Sequence, residues 1–148
     1  MEHLDIAKAR LLSPTGMDED HLHDALGIML GGSIDAADLY FQGTTREAWS
    51  LDNGIVKDAS FSIEQGVGVR AISGDKCGFA YSDDIVTSAL MESAQVAKRI
   101  AKTSGSDKVP AWQVKTGRSL YTSESPLDVI SETEKMNLLK QADAAARA

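Results

Sequence analysis

The side chains able to do chemistry are few. Three histidines, His3, His21 and His23, lie near the N-terminus, and the run Asp18-Glu19-Asp20-His21-Leu22-His23-Asp24 has the donor types of a metal site. Its spacing is wrong for one. Residues two apart on a helix point about 200° from each other, so His21 and His23 cannot grip one ion. Zinc-binding helices space their histidines four apart. The run reads instead as a solvated acidic face. The single cysteine, Cys77, sits in an alternating segment with Phe79. A thiolate nucleophile needs a basic neighbour and a lowered pKa, and no histidine is near in sequence. A buried, inert thiol is expected, with a nucleophilic Cys77 as the alternative.

Two further patterns match known motifs by letter only. Gly66-Val67-Gly68-Val69-Arg70-Ala71 spells the glycine loop of dinucleotide sites. That chemistry also needs a helix to follow, so that its N-terminus takes the pyrophosphate. Here a turn and another strand follow. Glycines inside a strand more often let a ligand or another backbone approach closely. Ser73-Gly74-Asp75-Lys76 spells S-x-x-K, which places its serine at a helix start, whereas Ser-Gly-Asp between strands is a turn. No catalytic residue, metal ligand set or bound cofactor is therefore expected in this chain.

The elements that position these residues follow from periodicity. Leu4, Ala7, Leu11 and Leu12 recur at helical spacing until Ser13-Pro14-Thr15-Gly16 breaks the run. A second helix starts near Asp18, presents Leu22, Leu26, Met29 and Leu30, and stops at Gly31-Gly32. The period then changes to two. Leu39-Tyr40-Phe41, Ala48-Trp49-Ser50-Leu51, the alternating Ala59, Phe61 and Ile63, then Val67, Val69 and Ala71, and lastly Cys77, Phe79 and Tyr81 read as strands with one buried face. Asn53-Gly54 and Ser73-Gly74-Asp75 mark tight turns. Connections this short exclude crossovers, so the spacing predicts an antiparallel meander of about four or five strands. Ser82-Asp83-Asp84 is expected to cap a helix over 85–102, with Val86, Ala89, Leu90, Ala97 and Ile100 on its inner side. Residues 103–125 are polar, with Trp112 and Tyr121 as anchors. Ser131 and Glu134 have capping-box spacing and open a final helix. The fold class is α+β, helices packed on one sheet face.

The chain has 148 residues, 43% of them hydrophobic, enough for one ordinary domain. One cysteine builds no disulfide framework. No apolar run reaches the ~20 residues of a membrane span, and the acidic start Met1-Glu2-His3-Leu4-Asp5 is unlike a secretory signal. A reducing, cytoplasmic setting and no membrane partner are expected. The net charge of −7 is carried wholly by residues 1–74 and lacks the basic footprint of duplex DNA binding. One basic stretch, Lys98, Arg99, Lys102, Lys108, Lys115 and Arg118, faces only Asp107. It reads as a solvated helix end, with docking of an acidic partner as the alternative.

The middle of the chain resembles the N-terminal region of the TldD/PmbA family. Asp38-Leu39-Tyr40-Phe41-Gln42, Glu47-Ala48-Trp49 and Ile55-Val56-Lys57-Asp58 carry the likeness. Its most specific part is Gln65-Gly66-Val67-Gly68-Val69-Arg70-Ala71-Ile72-Ser73-Gly74, followed by Gly78-Phe79-Ala80-Tyr81. Leu120-Tyr121-Thr122 and Ser125-Pro126-Leu127 fit the TldD branch. The resemblance implies a cytoplasmic bacterial zinc metallopeptidase, also called a putative modulator of DNA gyrase, that trims peptides and unfolded chains and pairs with a PmbA-like (TldE) subunit. Its zinc is held by an H-E-x-x-x-H motif in the C-terminal half, and this sequence has no such motif. The final helix has no Gly or Asn cap after it and an alanine-only last face. Residues 1–148 are thus expected to be a single N-terminal domain, a fragment lacking the catalytic domain. The expected role is non-catalytic: enclosing substrate and contacting the partner subunit or a second copy. A free-standing interaction module is the alternative. Gly66, Gly68, Arg70, Gly74, Gly78 and Phe79 are the candidate substrate- or partner-facing residues.

Overall fold

A computed structural model describes residues 3–102, 120 and 124–148. The described residues form an antiparallel sheet of order β1-β2-β3 and four α-helices, an α+β arrangement. In order they are α1 (His3–Leu11), α2 (Glu19–Met29), β1 (Ala36–Asp52), β2 (Ile55–Ser73), β3 (Lys76–Ser82), α3 (Thr87–Ala101) and α4 (Glu132–Arg147). The chain divides into two compact units, residues 1–43 with 64–118 and residues 44–63 with 119–148.

Among the described residues there are three strands rather than four or five. Leu39-Tyr40-Phe41 and Ala48–Leu51 belong to one 17-residue strand, and the two alternating runs that follow belong to one of 19 residues. The apparent breaks at Gly43 and Gly66 are not turns. They are places where the strand touches a neighbour: a Cβ on Gly43 would lie 2.9 Å from the Leu11 side chain, and one on Gly66 would lie 2.8 Å from the Ser82 carbonyl oxygen. The real turn is Asn53-Gly54, whose φ values of 51° and 76° are the pair of positive angles a type I′ hairpin requires.

In the first unit Val67, Val69 and Ala71 of β2 point into a core completed by Met29, Ile85, Leu90, Ala94, Ala97 and Ala101. Ala37, Leu39 and Phe41 of β1 pack against it. Helix α2 begins at Asp18, whose carboxylate accepts the His21 backbone N–H at 3.2 Å, while the His21 ring accepts the Asp18 N–H. The backbone bond from His21, then the contact of its ring Nδ1 with Asp18 Oδ1, hold the Asp18 carboxyl below its ordinary pKa.

Helix α3 departs from expectation in two ways. It begins at Thr87, with no side-chain cap at Val86. Ser82 instead accepts the Asp84 N–H at 3.1 Å, and Ile85 is drawn into the core before the helix starts. Its inner face is Leu90, Ser93, Ala94, Ala97 and Ala101, whereas Val86 and Ile100 are exposed. The cause lies opposite, at Gly78 of β3. A Cβ there would overlap the Ala97 carbonyl oxygen and stand 2.8 Å from the Ala101 nitrogen. The helix turns its small residues inward because its backbone lies against the strand.

In the second unit Lys135 of α4 donates to both carboxylate oxygens of Glu47, at 2.9 and 2.7 Å, and to the Leu127 carbonyl at 2.9 Å. The Trp49 indole N–H also donates to Glu47. The pair is largely shielded, at 14% and 15% side-chain exposure. Ser131 and Glu134 form the expected capping box. Ala59, Phe61 and Ile63 do not have a buried face; all three are exposed. β3 pairs only with Val67–Ser73, so no third strand among the described residues continues along Ile55–Ile63.

Candidate functional site

The sheet of the first unit has one face under the helices and one left open. Register decides which side chains stand on the open face. Gly68 pairs with Tyr81, Arg70 with Phe79 and Ile72 with Cys77, so Phe79, Tyr81 and Cys77 stand beside Gly68 and Arg70. Gly78, Ala80 and Ser82 alternate to the helix side. Cys77 is therefore exposed, not buried. The strand buries its small residues rather than its large ones because α3 demands close contact there.

On the open face Asp38 Oδ2 accepts from Arg70 Nε at 2.9 Å and Nη2 at 2.7 Å. These bonds raise the Arg70 pKa further and leave its charge already matched. Beyond that pair the face is aromatic. Phe79 and Tyr81 stack at 6.3 Å between ring centroids and 28° between planes. Tyr40, Phe79 and Tyr81 are 61%, 56% and 72% exposed. Tyr40 O–H donates to Gln42 Oε1 at 3.3 Å.

The rings border a shallow trough of about 270 Å³, lined also by Gln42, Gln65, Gly66, Gly68 and the acids Glu64 and Asp83. The two glycines keep its floor low. A Cβ on Gly68 would press the Phe79 ring at 3.3 Å. Aromatic rings, amides and carboxylates in this arrangement can bind; they offer no activated nucleophile.

Of the six residues singled out from the sequence, the structure places Gly66, Gly68, Arg70 and Phe79 on this face. Gly74 sits at the β2–β3 turn with φ 59°, its N–H bonded to Asp35 Oδ2 at 2.6 Å. Gly78 lies on the reverse face beneath α3. Tyr40, Gln42, Glu64, Tyr81 and Asp83 were not singled out. The signal that finds Tyr81 is its cross-strand position opposite Gly68, an aromatic over a glycine.

Among the described residues no three His, Cys, Asp or Glu side chains converge to hold a metal, so these residues do not fit a metal centre. His21 is engaged at the α2 N-terminus. No described helix is long and apolar enough to cross a membrane. Of the basic stretch, Lys98 and Arg99 occupy the last turn of α3; Lys108, Lys115, Arg118, Trp112 and Tyr121 lie outside the described residues.

Residues 37–101 match the family model for PmbA/TldA metallopeptidase domain 1, a span that includes the trough and its supporting helix. The chain is 39% identical over 140 residues to a metalloprotease TldD homolog of Haemophilus influenzae, covering 93% of this chain and 29% of that protein. It is 37% identical to a homolog of the same name from Buchnera aphidicola of Acyrthosiphon pisum, covering 93% and 28%. The homolog from Buchnera aphidicola of Schizaphis graminum is 35% identical, covering 97% and 30%. The chain thus spans under a third of the length of these relatives. With the domain match and agreement along nearly its whole length, the chain belongs to the TldD/PmbA metallopeptidase family, whose first domain it carries.

Proposed function

We propose that this chain is a non-catalytic domain of a TldD-like zinc metallopeptidase, and that its open sheet face walls the path by which peptides and unfolded chains reach the catalytic centre. Hydrolysis belongs to the part of the protein this chain does not span. The observation that carries this reading is the trough of Tyr40, Phe79 and Tyr81 over Gly66 and Gly68. Large rings left in water on a rigid sheet mark a binding surface, and missing Cβ atoms let a chain lie close to the strand. In the second unit, exposed Ile55, Phe61 and Ile63 suit contact with a PmbA-like subunit or a second copy.

The test uses the full-length protein with Tyr40, Phe79 and Tyr81 replaced together by serine. KM for an unstructured peptide should rise several-fold while bound zinc stays stoichiometric. Unchanged kcat and KM would overturn the reading.

A further inference from the structure

The trough has a charge character that its aromatic rings alone do not set. Among the described residues its lining holds two carboxylates, Glu64 and Asp83, two glutamines and no lysine, arginine or histidine. The cation on the same sheet face, Arg70, is engaged by Asp38 outside the lining. Asp83 has no ion-pair partner among the described residues. Exposed ring faces attract cations through their quadrupole, and a neighbouring carboxylate adds directly to that attraction.

We infer that the trough takes a lysine or arginine side chain of an extended peptide, with its ammonium or guanidinium over the Phe79–Tyr81 pair and near Asp83. This rests on the peptide-path reading above and specifies which peptides that path favours. An apolar peptide side chain would leave Asp83 unmatched, and an acidic one would be repelled. The apolar stem of lysine or arginine suits the rings while its charged end stays at the wet rim.

The probe is a fluorescein-labelled, unstructured peptide alternating alanine with lysine, compared with its norleucine and glutamate counterparts. Binding to the 148-residue chain is read by anisotropy at 50 and 300 mM NaCl. The lysine peptide should bind about three- to tenfold more tightly than the norleucine peptide, and higher salt should narrow the gap. Asp83→Asn should weaken the lysine peptide about two- to fivefold and leave the norleucine peptide unchanged. Asp20→Asn with Asp24→Asn on α2 controls for the overall negative charge and should change neither.

Equal binding of lysine and norleucine peptides, with both lost in Phe79→Ser/Tyr81→Ser, would overturn this inference and keep the peptide path. If the α2 control costs as much as Asp83→Asn, net charge is responsible and the inference falls. Peptide binding indifferent to Phe79 and Tyr81 would remove both readings.

Discussion

Replacing Gly78 by alanine tests how α3 is seated. The position has no positive φ, so alanine is acceptable to the backbone and the only obstacle is the helix. The new Cβ would overlap the Ala97 carbonyl oxygen, and Ala101 N and Ala97 C would stand at 2.8 and 3.0 Å against an ordinary contact of 3.4 Å or more. These are backbone atoms, so no rotamer change relieves them. The helix must retreat by upwards of about 0.6 Å at Ala101 N and by more at Ala97. Retreat loosens the contacts of Leu90, Ala94 and Ala97, all fully buried. Overpacking of this kind costs about 1–3 kcal/mol, offset by about 0.4–1 kcal/mol from a stiffer unfolded chain. At the middle of both ranges the net loss is about 1.3 kcal/mol, and with a urea m-value of about 1.5–2 kcal/mol/M the midpoint should fall by about 0.6–0.9 M. The assay is urea unfolding followed by circular dichroism at 222 nm, with Gly68→Ala as control. Gly68 faces the open side and meets only the exposed Phe79 ring, so its variant should unfold near the parent. Equal midpoints for Gly78→Ala and parent would refute the argument for backbone contact, as would an equal loss in the control.

Other perturbations separate the remaining contributions. Leu90→Ala should cost about 2–5 kcal/mol, since a fully buried leucine leaves a cavity; a midpoint shift under half a molar in urea would contradict its core position. Ser131→Ala should destabilise α4 by about 1 kcal/mol through loss of its N-cap bond to the Glu134 N–H, seen as faster amide exchange in the first turn of that helix. Hydrogen bonds from Lys135, then Trp49, hold the Glu47 carboxyl below its ordinary pKa. A lowered folded-state value gives stability that is full above the ordinary glutamate pKa and lost as pH falls through the lowered one. Parent and Glu47→Gln midpoints should therefore differ at pH 7 and draw together as pH falls below the ordinary glutamate range; a gap that stays constant throughout the acid titration would assign the difference elsewhere. Cys77, being exposed, should be alkylated to completion by N-ethylmaleimide without denaturant, and protection until urea is added would place it inside.

The fold is legible in the sequence where local chemistry decides and illegible where packing does. Asn53-Gly54, the helix start near Asp18 and the Ser131–Glu134 box depend on residues within three positions of one another, and each is where the pattern puts it. The alternation of Cys77, Phe79 and Tyr81 was equally visible, but period two does not say which set goes inside. Hydrophobicity favours the aromatic set; α3 selected Gly78 and Ala80. The same choice hid the trough, because its rings look like core until the register with Gly68 and Arg70 is known. Ala94, Ala97 and Ala101 are too weakly apolar to announce the inner face of α3, so Val86 and Ile100 drew the expectation outward. The acids of the trough come from the approach to Gly66 and from just beyond β3, separated in sequence and joined only by strand pairing.

The stretch of β2 along which no described third strand continues also bears on self-association. Ala59-Ser60-Phe61-Ser62-Ile63 is an uncharged, proline-free stretch whose far edge no described strand covers, and its composition is the kind that seeds cross-β stacking. Asp58 and Glu64 stand directly at its two ends. If two copies paired antiparallel about Phe61, Asp58 of each would lie opposite Glu64 of the other, and like charges directly opposed weaken such a ladder. The flanking acids thus weigh against stacking edge to edge in this register, and leave contact through the exposed Phe61 and Ile63 side chains untouched. A strand carrying lysine or arginine at those two positions would meet no such repulsion, so the edge that discourages fibrils stays open to a basic one.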